Sequence, residues 1–86
     1  MTLHDTIPMM ESKDYKDRFL AEYLQTKIRY DKLYQMIDRY KAGTLDFEPT
    51  CSVELLEDQL KCMRRYLLSL QVRARIEGID LNYAGG

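Results

Sequence analysis

Residues 15–41 read YKDRFLAEYLQTKIRYDKLYQMIDRYK, and this stretch decides the fold. Phe19, Tyr23, Thr26, Tyr30, Leu33, Ile37 and Tyr40 recur in alternating steps of four and three, a heptad seam along one face of an α-helix. Neither Pro nor Gly interrupts it. At about 1.5 Å per residue, such a helix is roughly 40 Å long. Its face of Phe, Tyr, Leu and Ile must be covered, so the helix needs a partner.

Working outward, Ser12 is the expected N-cap, with Asp14 and Asp17 in the first turn where the helix dipole favours negative charge. Asp14–Arg18 and Lys27–Asp31 are spaced as i,i+4 pairs on the outer face. Gly43 stands where a left-handed C-cap is expected. Pro49 and Thr50-Cys51-Ser52 end one helix and start the next, and Leu45 and Phe47 are expected to fold back over this connection. The second helix runs from about Val53 to Glu77, with a seam of Val53, Leu56, Leu60, Met63, Leu67, Leu70 and Ala74. Glu54, Glu57 and Asp58 near its start and Arg73 and Arg75 near its end agree with its dipole. Gly78 ends it, and Ile79 and Leu81 add a last apolar contact.

The expected fold is therefore all-α: an antiparallel two-helix hairpin assembling into an oligomeric helical bundle. The hairpin domain spans 13–81, with helices at about 13–41 and 53–77 joined by a loop at 42–52. Residues 1–12 lack periodicity and read as a flexible leader, with Ile7, Met9 and Met10 available to dock on a neighbour; 82–86 read as a loose tail. The oligomer follows from surplus apolar residues. Leu20, Leu24, Ile28, Tyr34, Met36, Leu55, Tyr66, Leu68 and Val72 are too many for the one interface two helices share. A two-helix core is also marginal alone, and a symmetric homo-oligomer is the usual remedy.

Composition narrows the function. Eighty-six residues make one domain, and 31% charged with 45% hydrophobic residues is a globular balance. No run approaches the roughly 18 apolar residues of a membrane span, and no signal peptide is visible. Cys51 and Cys62 form no CxxC and lack His partners, so they read as reduced cytosolic thiols, Cys62 partly buried, and not as a zinc site. A net charge of −1 argues against DNA binding but leaves room for a small anion held by a few converging cations. The sole histidine is His4, and there is no catalytic triad, metal box or glycine-rich phosphate loop. No enzyme, metal or cofactor is expected.

Seven tyrosines and no tryptophan make a tyrosine-heavy chain, and those on the seam read as packing residues with the hydroxyl at the rim. Tyr15 differs, because it opens the first helix among Lys13, Lys16 and Arg18. A flat ring beside cations and helix N–H groups suits a nucleotide base and its phosphate; a solvated charged first turn is the plainer alternative. Lys27, Arg29 and Lys32 form a second basic group, for which a solvated face, supported by the Lys27–Asp31 pairing, is the plainer reading. In an antiparallel pair, Arg73 and Arg75 return toward Tyr15–Arg18, and an Arg fork suits phosphate.

Asp14-Tyr15-Lys16-x-Arg18, Glu22-Tyr23 and Lys32-Leu33-x-x-Met36-Ile37 together resemble a family of small helical proteins of tailed phages and prophages, relatives of a crAss-like phage protein. Residues 42–49 (AGTLDFEP), Leu55-Leu56-x-x-Gln59-Leu60-x-x-Met63 and Arg73-Ala74-x-Ile76-Glu77-Gly78 extend the resemblance over residues 13–81. More remotely, the chain is similar to the hairpin domain of phage anti-CBASS and anti-Thoeris sponge proteins. These non-enzymatic oligomers, hexamers in the well-known case, sequester cyclic di- and trinucleotides or cyclic ADP-ribose signals. The resemblance implies a counter-defence protein in the cytoplasm of an infected bacterium, with a cyclic nucleotide as ligand and copies of itself as partners. It implies Tyr15, Lys27 and Leu70-x-x-Arg73-Ala74 as binding elements, with Lys32 the rival lysine because the spacing from Tyr15 to Lys27 is shorter than in the sponges. With the neighbouring cations, the candidate ligand residues are Tyr15, Lys16, Arg18, Lys27, Arg73 and Arg75. The alternative is a coiled-coil adaptor that binds a host protein.

Overall fold

The computed structural model describes residues 1–81; the expected tail at 82–86 lies outside the described residues. All regular structure among them is helical. A 3-10 turn at His4–Thr6 leads into a short helix, α1 (Ile7–Met10), and two long helices follow, α2 (Tyr15–Ala42) and α3 (Val53–Glu77).

The ends of the long helices follow from their capping residues. Asp14, with φ −81° and ψ 123°, caps α2 by accepting the Lys16 N–H at 2.9 Å. Ser12 is not the cap: its hydroxyl stands outside the helix, accepting the Asp14 N–H at 3.1 Å and donating to Asp17 at 2.7 Å. Gly43, at φ 75°, closes α2 by donating its N–H to the Arg39 and Tyr40 carbonyls. Only glycine adopts this left-handed conformation without a steric cost. Ser52 caps α3 by accepting the Leu55 N–H at 3.2 Å, and Gly78, at φ 70°, ends it. Each side-chain cap contributes about 1 kcal/mol.

The long helices lie side by side in opposite directions. Tyr15 meets Arg73 and Tyr23 meets Gln71 toward one end; Lys41 meets Glu57 toward the other. The core is concentrated at the first end, where Phe19, Leu70, Ala74 and Ile79 are buried together with Tyr23 and Leu81 packed on them. Ile79 and Leu81 reach this core because Gly78 turns the chain back. Toward the connection, Ile37 is buried, but Val53, Leu56, Leu60 and Met63 are only half-buried.

The N-terminal stretch, expected as a flexible leader, carries helical turns against α2. Thr6 is fully buried; its hydroxyl donates to the Leu3 carbonyl at 2.6 Å and accepts from Gln25 Nε2 at 3.0 Å. The Gln25 amide also contacts Met10 Sδ. At 100° per residue, Ala21, Leu24 and Gln25 project away from the seam facing α3. Ala21 and Leu24 are nevertheless buried. The anchor is a polar threonine, which an apolar periodicity does not register.

This third layer reduces the surplus on α2. Leu24 is buried and Leu20, Ile28 and Met36 are half-buried, but Tyr34, Leu55, Tyr66, Leu68 and Val72 stay exposed. Ile76 joins them at 79% exposure, and Leu68, Val72 and Ile76 form one ridge at i,i+4 spacing. Cys62 was expected to be partly buried; it is exposed, because it lies on the face of α3 turned from α2, and Cys51 is exposed too. Among the described residues no helix is long and apolar enough to cross a membrane, and no cluster of His, Cys, Asp or Glu is arranged to hold a metal ion.

Candidate functional site

The antiparallel return of α3 sets Arg73, in its penultimate turn, against the first turn of α2. Arg73 Nη2 donates to the Tyr15 hydroxyl at 2.7 Å, and Nε pairs with Glu77 at 3.3 Å. The guanidinium carbon lies 4.9 Å from the centre of the Phe19 ring, a cation–π distance. Phe19 in turn packs on Tyr15, with ring centroids 6.2 Å apart and planes tilted by 56°. Arg73 is thus fixed from three sides, while its side chain remains half exposed. Desolvation pulls its pKa down, but Tyr15 and Glu77 outweigh it, so the net shift is upward and the charge is secure. A guanidinium has five N–H donors, so those not aimed at Tyr15 and Glu77 remain for an anion.

The other expected residues do not converge as closely. The side chains of Lys16 and Arg75 are exposed and make no hydrogen bond or ion pair with the described residues. Arg18 donates Nη1 to the Ser12 carbonyl at 2.8 Å in place of the expected pairing with Asp14. Lys27 is held by both carboxylate oxygens of Asp31 at 3.1 Å, in the expected i,i+4 pair. Its rival Lys32 is exposed and unpaired among the described residues. The structure therefore joins Tyr15 to Arg73 directly, and adds Phe19 and Glu77, which the sequence did not mark as site residues. Phe19 was legible only as core, and Glu77 carried the signal of its i,i+4 spacing from Arg73.

A cleft of about 270 Å³ lies near the connection, between α2 and α3. Tyr30 and Tyr34 line one wall, with ring centroids 6.3 Å apart, and Lys61 and Arg64 line the other. Neither Lys61 nor Arg64 was expected at a site.

A family model named Sequestin matches residues 13–76, which is most of the chain and nearly all of α2 and α3. The chain belongs to the Sequestin family. The matched span holds Tyr15, Arg73 and the whole cleft, but stops short of Glu77 and the returning Ile79 and Leu81, and leaves out the N-terminal turns that pack on α2. No curated protein and no solved structure matches this Sequestin chain.

Proposed function

We propose that this protein is a non-catalytic sponge: a helical hairpin that assembles with copies of itself and sequesters a cyclic nucleotide immune signal. The family's name speaks of sequestering, and the Tyr15–Arg73 pair is the observation that carries the reading to a site. A ring and a pre-positioned guanidinium, both partly exposed, supply a stacking face and phosphate donors. Phe19 and Glu77 hold Arg73 in place, so little side-chain freedom is lost when an anion arrives. Lys16, Arg18 and Arg75 add positive charge at the same end, and Lys27 reaches a ligand only by leaving Asp31. The exposed ridge of Leu68, Val72 and Ile76 supports assembly, because copies would cover it. On this reading the ligand is a cyclic di- or trinucleotide or cyclic ADP-ribose, the setting is the cytoplasm of a phage-infected bacterium, and no DNA or membrane is engaged.

The same ridge also favours a second reading, an adaptor whose exposed face docks on a host protein helix. Thermal denaturation separates the two. A ligand that binds only the folded state at a hundred times its Kd stabilises it by about 2.7 kcal/mol. The sponge predicts such a shift with a cyclic nucleotide, and predicts that Tyr15→Ala and Arg73→Ala each weaken its binding in calorimetry. Full binding by both variants removes the site, and no shift with any cyclic nucleotide favours the adaptor.

A further inference from the structure

Several of the groups that line the cleft between α2 and α3 near the connection have no internal partner. The side chains of Lys61 and Arg64 make no hydrogen bond or ion pair with any described residue, and the hydroxyls of Tyr30 and Tyr34 make none either. Lys41, on the same wall as the tyrosines, is paired with Glu57 across the cleft at 3.3 Å. The two tyrosines sit at the far end of the range for aromatic contact and are tilted by 32°. They do not consume each other's faces, and Tyr34 is 55% exposed. This contrasts with Arg73, whose guanidinium already serves Tyr15, Glu77 and Phe19.

We infer that this cleft is a second binding site, separate from the Tyr15–Arg73 end, and that it takes a nucleoside monophosphate whose base carries an exocyclic amino group. The base stacks on Tyr34 beside Tyr30, and the phosphate accepts from Lys61 and Arg64. Asp38, which also lines the cleft and has no partner among the described residues, accepts the amino group. The same carboxylate leaves the unpaired groups with a net charge of only +1, which suits one phosphate and opposes a chain of several. A volume of about 270 Å³ lies just below the range of drug-sized pockets and accommodates one nucleotide unit better than two. The site stands or falls independently of the sponge function, because it shares none of that function's residues.

The test is a titration of the full chain with 5′-AMP, followed by amide NMR, with adenosine and inosine 5′-monophosphate as comparisons. AMP is expected to perturb amides around Tyr30–Lys41 and Glu57–Arg64, with adenosine weaker by about tenfold because it lacks the charge-assisted hydrogen bonds. Inosine monophosphate, which lacks the amino group, is expected to bind several-fold more weakly than AMP. Arg64→Ala with Lys61→Ala should remove the AMP response while circular dichroism stays helical; Tyr34→Ala, at an exposed position, gives an independent reading of the stacking. Perturbations confined to the Tyr15–Arg73 end overturn the proposal. So does an AMP response that survives both the double variant and Tyr34→Ala, or adenosine binding equal to AMP.

Discussion

The two ends of the helical pair are built from similar residues and do different things with them. Where α2 begins and α3 ends, Phe19, Leu70, Ala74 and Ile79 close a core, the N-terminal turns cover the back of α2, and Arg73 is fixed among Tyr15, Phe19 and Glu77. Toward the connection, Leu56, Leu60 and Met63 are half-covered, and Tyr30, Tyr34, Lys61 and Arg64 border an open cleft. The difference lies in what each end has to close it. Gly78 sends Ile79 and Leu81 back over the first end. At the other, Gly43 leads into a connection whose Phe47 is 53% exposed. Similar seams thus give a tight end that positions an arginine and a loose end that leaves room for something else.

The largest expected effect tests that contrast directly. Leu70 is 1% exposed, so Leu70→Ala should cost about 3 kcal/mol, enough to lower the melting temperature by roughly 12–24 °C or unfold a domain this small. Leu60 occupies the same seam but is half-buried, and Leu60→Ala should cost about 1 kcal/mol. Equal losses in thermal denaturation would break the comparison. They would mean that the connection end is covered in solution, as a second copy would cover it.

Why the sequence revealed one end better than the other follows from the same seams. Period and caps carried the all-helical class, because Gly43, Ser52 and Gly78 stand at the ends of the periodic stretches, where such residues cap helices. The seam gave the direction of each apolar face but not the depth of burial. Leu67, Leu70 and Ala74 are buried, whereas Leu56, Leu60 and Met63 in the same register are not. The meeting of Tyr15 and Arg73 was legible because antiparallel helices return their termini to each other. The cleft required a register. Seven residues onward from Tyr23 and seven back from Gln71, which are hydrogen-bonded at 3.4 Å, lie Tyr30 and Arg64. Without that pair, Tyr30 read as a seam residue and Tyr34 as surplus apolar surface, and nothing marked Arg64 as a site residue. The N-terminal layer was hidden because its anchor is one threonine hydroxyl.

A middle-sized effect sharpens the role of that layer at the tight end. Thr6→Val keeps the shape but removes the hydroxyl that links Leu3 to Gln25. The Leu3 carbonyl keeps the Thr6 N–H at 3.1 Å, so the loss should stay near 1 kcal/mol. Gln25→Ala should cost a similar amount, and the double variant should cost less than the two together, because both remove the same hydrogen bond. Additive losses in denaturant unfolding would show that Thr6 and Gln25 act separately, and that the N-terminal turns are held by other contacts.

The smallest effect belongs to the outermost turn. Asp5 accepts the Thr2 N–H at 2.8 Å, and this backbone hydrogen bond holds its carboxyl below the ordinary value of 3.8. A depressed acid stabilises the folded form above its unfolded pKa and loses that contribution as pH falls through the lower, folded value. The turn should therefore be intact at neutral pH and loosen only below about pH 3.8, one proton at a time and without unfolding α2 or α3. The Thr2 amide shift, followed by NMR from pH 6 downward, should titrate with a midpoint under 3.8 while the Leu70 amide stays still. A midpoint at or above that value would mean that the Thr2–Asp5 hydrogen bond does not persist in solution. The third layer would then begin at Thr6, not at Thr2, and the tight end would rest on a shorter N-terminal anchor.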